Sequence, residues 1–253
     1  MVKLLRSGIF DPPPYPRRLK RDLSALWPLD EASGNRRDVS GNANTLTDNF
    51  TVTQADGPSI YIPKAAQFTR ANTEYLTVAD NTFVSMGAGV RMSMSAFVYA
   101  DSLPAGDMSI MGRWDAIALQ NQRSCALYWT NTTNRFVFIV SPDGTNTSEI
   151  SVSAATFGAV SATTWYLVAC GYDGARIYIS VNNGPADSVA YSADLFDASH
   201  AFAIGALVNN ASSTAYWDGR IAQPTLHKRV VTAQENTWRY NNRQGRSLAQ
   251  LRF

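Results

Sequence analysis

The chain is short of cysteine, histidine, lysine and glutamate. Its 253 residues include two Cys, two His, four Lys and four Glu. Each scarcity removes a class of chemistry. Cys125 and Cys170 sit in the apolar runs SCALYW and YLVACGY. They offer no zinc spacing, and a chain this long needs no disulfide staple. Both read as buried free thiols. His200 and His227 have no Ser or Cys motif beside them, so no nucleophile triad is legible. Glu31, Glu74, Glu149 and Glu235 lie far apart, whereas glycoside hydrolysis needs paired carboxylates across the scissile bond. No P-loop or dinucleotide fingerprint occurs. No apolar run approaches the length of a membrane span. A net charge of +2 argues for neither nucleic acid nor an anionic membrane as partner. The expectation is a protein that is not an enzyme.

What the sequence does have is short apolar runs and turn residues. Examples are MSMSAFVYA (92–100), RFVFIVS (135–141), TWYLVACGYD (164–173) and RIYISVN (176–182). In the last, Ile177, Ile179 and Val181 alternate with polar neighbours, as in a strand with one buried face. SPDGTN, YDGAR, VNNGPA and YWDGR place Asp-Gly or Asn-Gly between such runs, where positive φ is needed. No crossover helices separate them, so the strands should be antiparallel. The fold class is all-β, a two-sheet antiparallel sandwich. One helix is expected in VTAQENTWRYNN (231–242), where Thr232 and Glu235 form a capping box. Val231, Trp238 and Tyr240 would dock it.

The start of the chain has a different composition. FDPPPYPRRLKRD (10–22) is rich in proline and arginine. Residues preceding proline are pushed toward extended geometry, so Asp11–Pro16 should be polyproline-like, with one helical turn or a strand after it. Residues 1–24 read as an extended arm, 25–245 as the sandwich and 246–253 as a tail. The basic start is broken by Arg6, Ser7 and Asp11, which leaves no legible export signal. Deleting residues 1–22 should leave the sandwich intact.

ALWPLDEASGNRRDVSGNANTLT (25–47), EYLTVADN (74–81), TTWYLVACGYDGARIYISVNNG (163–184) and FAIGALVNNASSTAYWDGRIAQPTLHKRVVTAQE (202–235) resemble, in order and spacing, the LamG-like, concanavalin A-like jelly-roll family. The resemblance covers roughly residues 25–245. It implies two stacked antiparallel sheets of six or seven strands each. It departs from the family at Gln223 and Pro224, where proline implies a bulge or an edge. The family often holds a structural calcium through Asp side chains. Asp38 and Asp218 are the residues to name for it, unless Asp38 makes an Asx-turn and Asp218 only a hairpin turn.

A glycan site needs exposed aromatics beside polar groups. Trp114, Trp129, Tyr216 and Trp217 are the residues named for it, while Trp165 and Trp27 are assigned to the core. Two functions compete. One is a structural protein of a virus (phage) particle, a capsid decoration or tail-associated jelly roll present in many copies or as a homo-oligomer. Its arm would dock on capsid or tail proteins through Tyr15, Arg17, Arg18 and Arg21, and its surface could present a glycan site. The other is a secreted or cell-surface carbohydrate-binding module.

Overall fold

The computed structural model describes residues 15–115, 121–208 and 213–247. The proline run ahead of Tyr15 and the last residues of the tail lie outside these. Helix α1 (Tyr15–Lys20) leads into β1 (Leu23–Leu26), β2 (Thr47–Asn49), β3 (Thr53–Ser59), β4 (Ile62–Phe68) and β5 (Tyr75–Val78). Then come β6 (Met92–Ala100), β7 (Met108–Trp114), β8 (Arg123–Thr130), β9 (Arg135–Val140) and β10 (Ile150–Ser153). The rest are β11 (Trp165–Tyr172), β12 (Arg176–Val181), β13 (Asp187–Ala190), β14 (Phe202–Ile204), β15 (Leu207–Val208), β16 (Ser213–Thr214), β17 (Gly219–His227) and helix α2 (Ala233–Tyr240).

Two antiparallel sheets stack face to face. The eight-stranded sheet runs β13-β12-β11-β6-β17-β4-β3, with β1 also on β17. The seven-stranded sheet runs β10-β9-β8-β7-β14-β5-β2. The alternation legible in the sequence sorts the faces. Met92, Met94, Ala96 and Val98 of β6 meet Cys125, Leu127 and Trp129 of β8 in one core. Both cysteines are free and buried. Burial pushes the Cys125 thiol up to about 12 and the Cys170 thiol well above its usual range, which makes both unreactive. Trp27 closes the core: its ring stacks on Phe202 at 5.8 Å, and its Nε1 donates to the Asn44 carbonyl at 2.6 Å.

The structure revises the N-terminal boundary. Residues 15–20 are helical, and β1 pairs with β17 through Leu23↔His227, Ala25↔Leu226 and Leu26↔Thr225. A division at residue 24 would cut through this strand. Leu19, Leu23 and Leu26 cluster with Val231 and Trp238. The His227 Nε2 donates to the Leu19 carbonyl at 2.8 Å. Arg229 donates to the carbonyls of Arg18 at 2.6 Å and Arg21 at 2.9 Å, capping the end of α1.

Pro224 marks a seam. Before it, β17 pairs with β4 through Ile221↔Ala66, and after it with β1 from Thr225 onward. Along β6 the register shifts between Ala222 and Thr225, and Gln223 takes φ 47°. A residue without an N–H is tolerated where one partner strand gives way to another. The bulge is therefore in mid-sheet.

Helix α2 lies on the outer face of the eight-stranded sheet. Thr232 Oγ1 accepts from Glu235 N, and Glu235 Oε2 accepts from Thr232 N at 2.8 Å, closing the capping box. Tyr240 packs with Ile62, Phe97 and Leu167 beneath it. Trp165, assigned to the core from sequence, belongs to this outer cluster and is half-buried beside Tyr99 at 5.4 Å.

Candidate functional site: a cleft on the seven-stranded sheet

Residues of β8 and β9 that do not enter the core face the opposite side of their sheet. Ala126, Tyr128 and Ile139 form the floor of a cleft of about 530 Å³ there, with Trp114 and Arg123 at one end. The floor is low because β7 and β8 approach closely. Gly112 pairs with Ala126. A Cβ on Gly112 would fall 2.6 Å from the Cys125 carbonyl oxygen and 2.7 Å from the Ala126 Cα. Leu207, Thr214 and Ala215, from the β15–β16 hairpin and the residue after it, line another part of the wall.

The walls are polar. Arg123 and Glu149 form an ion pair at 3.0 Å, with the guanidinium almost fully buried. Burial raises the Glu149 carboxyl above its usual range, and the Arg123 charge opposes that rise. The Tyr128 hydroxyl is pushed up to about 12, first by burial and then by the Asp107 and Glu149 charges. It stays protonated at neutral pH and can donate. Arg70 Nη1 donates to the carbonyls of Asp107 at 3.1 Å and Tyr216 at 2.9 Å, tying two wall loops together. Asp107 Oδ1 accepts from Asn131 N at 3.2 Å. The cleft thus joins an aromatic and aliphatic floor to donors and acceptors of both signs. That combination suits a ligand with apolar faces and many hydroxyl groups.

Of the four aromatics named from sequence, only Trp114 lines this cleft, and it is itself buried at 6 % exposure, which leaves Tyr128 as the accessible ring. Trp129 and Trp217 are 2 % and 1 % exposed and lie in the core, so neither can stack on an outside ligand. The alternation of β8 turns Trp129 inward and Tyr128 outward; Tyr128 is the residue the sequence reading passed over. Tyr216 is half-buried, its ring 6.2 Å from that of Tyr75. Arg17, Arg18 and Arg21 are exposed on and after α1. Tyr15 is the first residue of that helix.

Both aspartates named for calcium accept hydrogen bonds from the protein, Asp38 with all its acceptor sites and Asp218 with two. Asp38 Oδ1 accepts from Leu26 N at 3.0 Å and Ser40 N at 2.8 Å. Its Oδ2 accepts from Ser40 Oγ at 2.7 Å and Asn44 N at 3.0 Å. Four donors aimed at one carboxylate form an Asx-type staple and leave no lone pairs turned toward a cation. Asp218 accepts from Arg70 N at 3.3 Å and from Ser102 Oγ. Among the described residues, no three His, Cys, Asp or Glu side chains gather as metal ligands.

Comparison with known proteins agrees with this architecture. No curated protein matches the chain. The binding domain of Paraclostridial Mosquitocidal Protein 1 superimposes with a TM-score of 0.68 at 13% identity, over 86% of this chain and 51% of that one. Domain 4 of AbnA, a GH43 extracellular arabinanase from Geobacillus stearothermophilus solved with arabinotriose, gives 0.56 at 20% identity, over 85% and 97%. A botulinum neurotoxin type C structure, whose description ties cell entry to two ganglioside molecules, gives 0.62 at 12% identity, over 90% and 53%. The chain spans about half the length of the toxin chains it matches. At these identities the likeness is one of fold. The sequence profile Laminin_G_3 matches residues 70–235, most of the sandwich just described. With two stacked antiparallel sheets and that match over more than half its length, the chain belongs to the concanavalin A-like lectin/glucanases superfamily.

Proposed function

We propose that this chain is a non-enzymatic glycan-binding module whose ligand lies in the cleft over β7, β8 and β9. The observation that carries this reading is the half-buried Tyr128 and Ile139 surface set beside the Arg123–Glu149 pair. A sugar ring offers an apolar face to the aromatic floor and hydroxyls to the charged wall. The arabinotriose bound by the arabinanase domain, a neighbour of the same fold, supports it.

The test is an array of neutral oligosaccharides, followed by calorimetric titration of the tightest one. Tyr128→Ala should weaken binding by about tenfold, the value of one stacked ring. Tyr128→Phe keeps the ring and should lose less. Binding should be unchanged by a calcium chelator, because Asp38 is engaged by protein donors. Equal binding by wild type and Tyr128→Ala would place the ligand elsewhere. Hydrolysis of the oligosaccharide during titration would overturn the binding-only reading.

A second reading places the same module on a virus particle, held to capsid or tail protein by its N-terminal segment. The outward Arg17 and Arg18 on α1 and Arg21 just after it, a segment clamped to the sandwich by Arg229, support it. Stoichiometric presence in purified virions is its expected outcome. Recovery only from the medium of uninfected cells would favour a secreted module.

A further inference from the structure

A second cleft, of about 570 Å³, lies where α1 meets the start of β6 and the end of β17. Its lining includes Arg21, Arg91, Lys228 and Arg229, with Gly89 and Val230 and no carboxylate. The fold assembles these cations from three distant parts of the chain. The β6–β17 register pairs Ser93 with His227. Continued outward by two residues, it sets Arg91 across from Arg229. The turn after α1 brings Arg21 alongside, held because its carbonyl accepts from Arg229 Nε at 2.9 Å.

The four cations are not equivalent. Arg229 is matched: its two terminal nitrogens donate to Glu235 at 2.9 and 2.8 Å. The other three are not. Arg91 is exposed and makes no hydrogen bond or ion pair among the described residues; its Nε lies 3.2 Å from where a Cβ on Gly174 would stand. Arg21 has only a loose contact with Asp22 at 3.7 Å, with both side chains more than half exposed, and such pairs contribute little. Lys228 donates to the Thr82 carbonyl and forms no ion pair among the described residues; burial lowers its pKa from the ordinary value, and the Asp197 charge opposes that only in part.

Three other carboxylates of the neighbouring loops accept hydrogen bonds from elsewhere in the protein. Asp194 Oδ1 accepts from Gly89 N at 2.8 Å. Asp173 Oδ1 accepts from Ala175 N and Arg176 N, each at 2.8 Å. Asp197 Oδ1 accepts from Arg113 at 3.3 Å. Like charges held together in a cleft without a matching anion repel one another, and the fold tolerates them where an anion from outside completes the set. Planar guanidinium forks match the spacing of oxyanion oxygens.

We propose that Arg21, Arg91 and Lys228 form a binding site for a tetrahedral oxyanion, the phosphate or sulfate ester group of a ligand larger than the ion itself. The cleft has room for the rest of such a ligand beside the charged group. The site is separate from the glycan cleft and stands or falls independently of it.

The test titrates inorganic phosphate and inorganic sulfate into the full chain at constant ionic strength, with chloride as the balancing salt. Nε–Hε shifts of the arginines and the melting temperature are followed. Saturable binding is expected, weakened about tenfold by Arg91→Gln or Arg21→Gln, the value of one charge-assisted hydrogen bond. Arg17→Gln, on α1 but outside the cleft lining, should bind as wild type does. The side chains of Arg17, Arg21 and Arg91 are exposed, so these variants should melt with the wild type in chloride. Tighter phosphate binding identifies a phosphate ester as the physiological group, and tighter sulfate binding a sulfate ester. Absence of saturation by both ions, or an equal loss in Arg17→Gln and Arg91→Gln, would overturn the proposal.

Discussion

At the scale of single residues, the main surprise is where the arginines go. Charged side chains normally stay in water, yet Arg36, Arg113 and Arg239 are among the largest fully buried side chains. Arg239, on α2, points into the sheet beneath and has no carboxylate partner among the described residues. Its Nη1 donates to Ser95 Oγ and to Thr225 Oγ1 at 2.9 Å, and its Nη2 donates to the Gln223 carbonyl. Its guanidinium stands 5.7 Å from the centre of the Phe97 ring. Burial works against this charge, so neutral acceptors and the ring face must offset the loss of water. Arg239→Ala should cost about 3 kcal/mol, since it opens a cavity and strands the Gln223 carbonyl at the bulge. Arg239→Met refills the volume and should cost less. Urea denaturation of both variants checks this. A neutral Arg239→Ala would show that the buried cation contributes nothing net.

Tyr128 shows what could have been found at this scale. Cys125, Leu127 and Trp129 form one face of SCALYW, so the period of two already turned Tyr128 to the other side. Choosing aromatics by size favoured the tryptophans, which the core claimed. No local pattern separated Trp114 from Trp129. Trp114 lies two residues after Gly112, which pairs with the floor residue Ala126, so the alternation of β7 puts it on the cleft side.

At the scale of elements, the strands with alternating or β-branched patterns were legible, and so was the capped helix. β6 occupies 92–100 as read from the sequence, and Ile177, Ile179 and Val181 of β12 are buried as expected. β3 and β4 were missed. TQADGPS and IPKAAQF contain Gly, Pro and Lys, and their strand character comes from pairing with each other and with β17.

The N-terminal arm was half legible. Its basic residues are exposed, but α1 and β1 are part of the fold. Deleting residues 1–22 removes Leu19 from its cluster and takes the acceptors of His227 Nε2 and two Arg229 donors. The expected loss is on the order of 5 kcal/mol, seen as a clear drop in melting temperature. This reverses the expectation from sequence of an unaffected sandwich. An unchanged melting curve would restore the detachable arm.

At the scale of the whole molecule, acid should loosen the fold through His227. Burial pushes its imidazole down from 6.5 to about 3, and the Arg229 and Arg239 charges act in the same direction. The Leu19 carbonyl bond and Glu235 oppose this more weakly. Between those values the unfolded chain binds a proton that the folded chain refuses. Stability therefore falls as pH drops below about 6.5, with a slope approaching about 1.4 kcal/mol per pH unit. Glu235, whose carboxyl is lowered by its bonds from Arg229 and Thr232 against an opposing burial effect, adds a loss of the same sign at lower pH. Melting temperatures from pH 7 to 4 should fall steeply for wild type and less steeply for His227→Gln. Parallel curves would remove His227 from the account.

The sequence alone determined the class of fold, the family, the capping box and the inertness of the two thiols. These depend on local periodicity, turn chemistry and composition, which are written residue by residue. Only the tertiary structure decided which residues share a cleft. Tyr128, Arg123 and Glu149 come from one strand, the end of that strand and a distant loop; Arg21, Arg91 and Lys228 come from the two ends of the chain and its middle. Register and stacking bring such groups together, and register is set by the whole sheet at once. The same packing drew Trp129 and Trp217 inward, because the core took the largest apolar surfaces available and left Tyr128, whose ring carries a hydroxyl, as the accessible aromatic of the cleft.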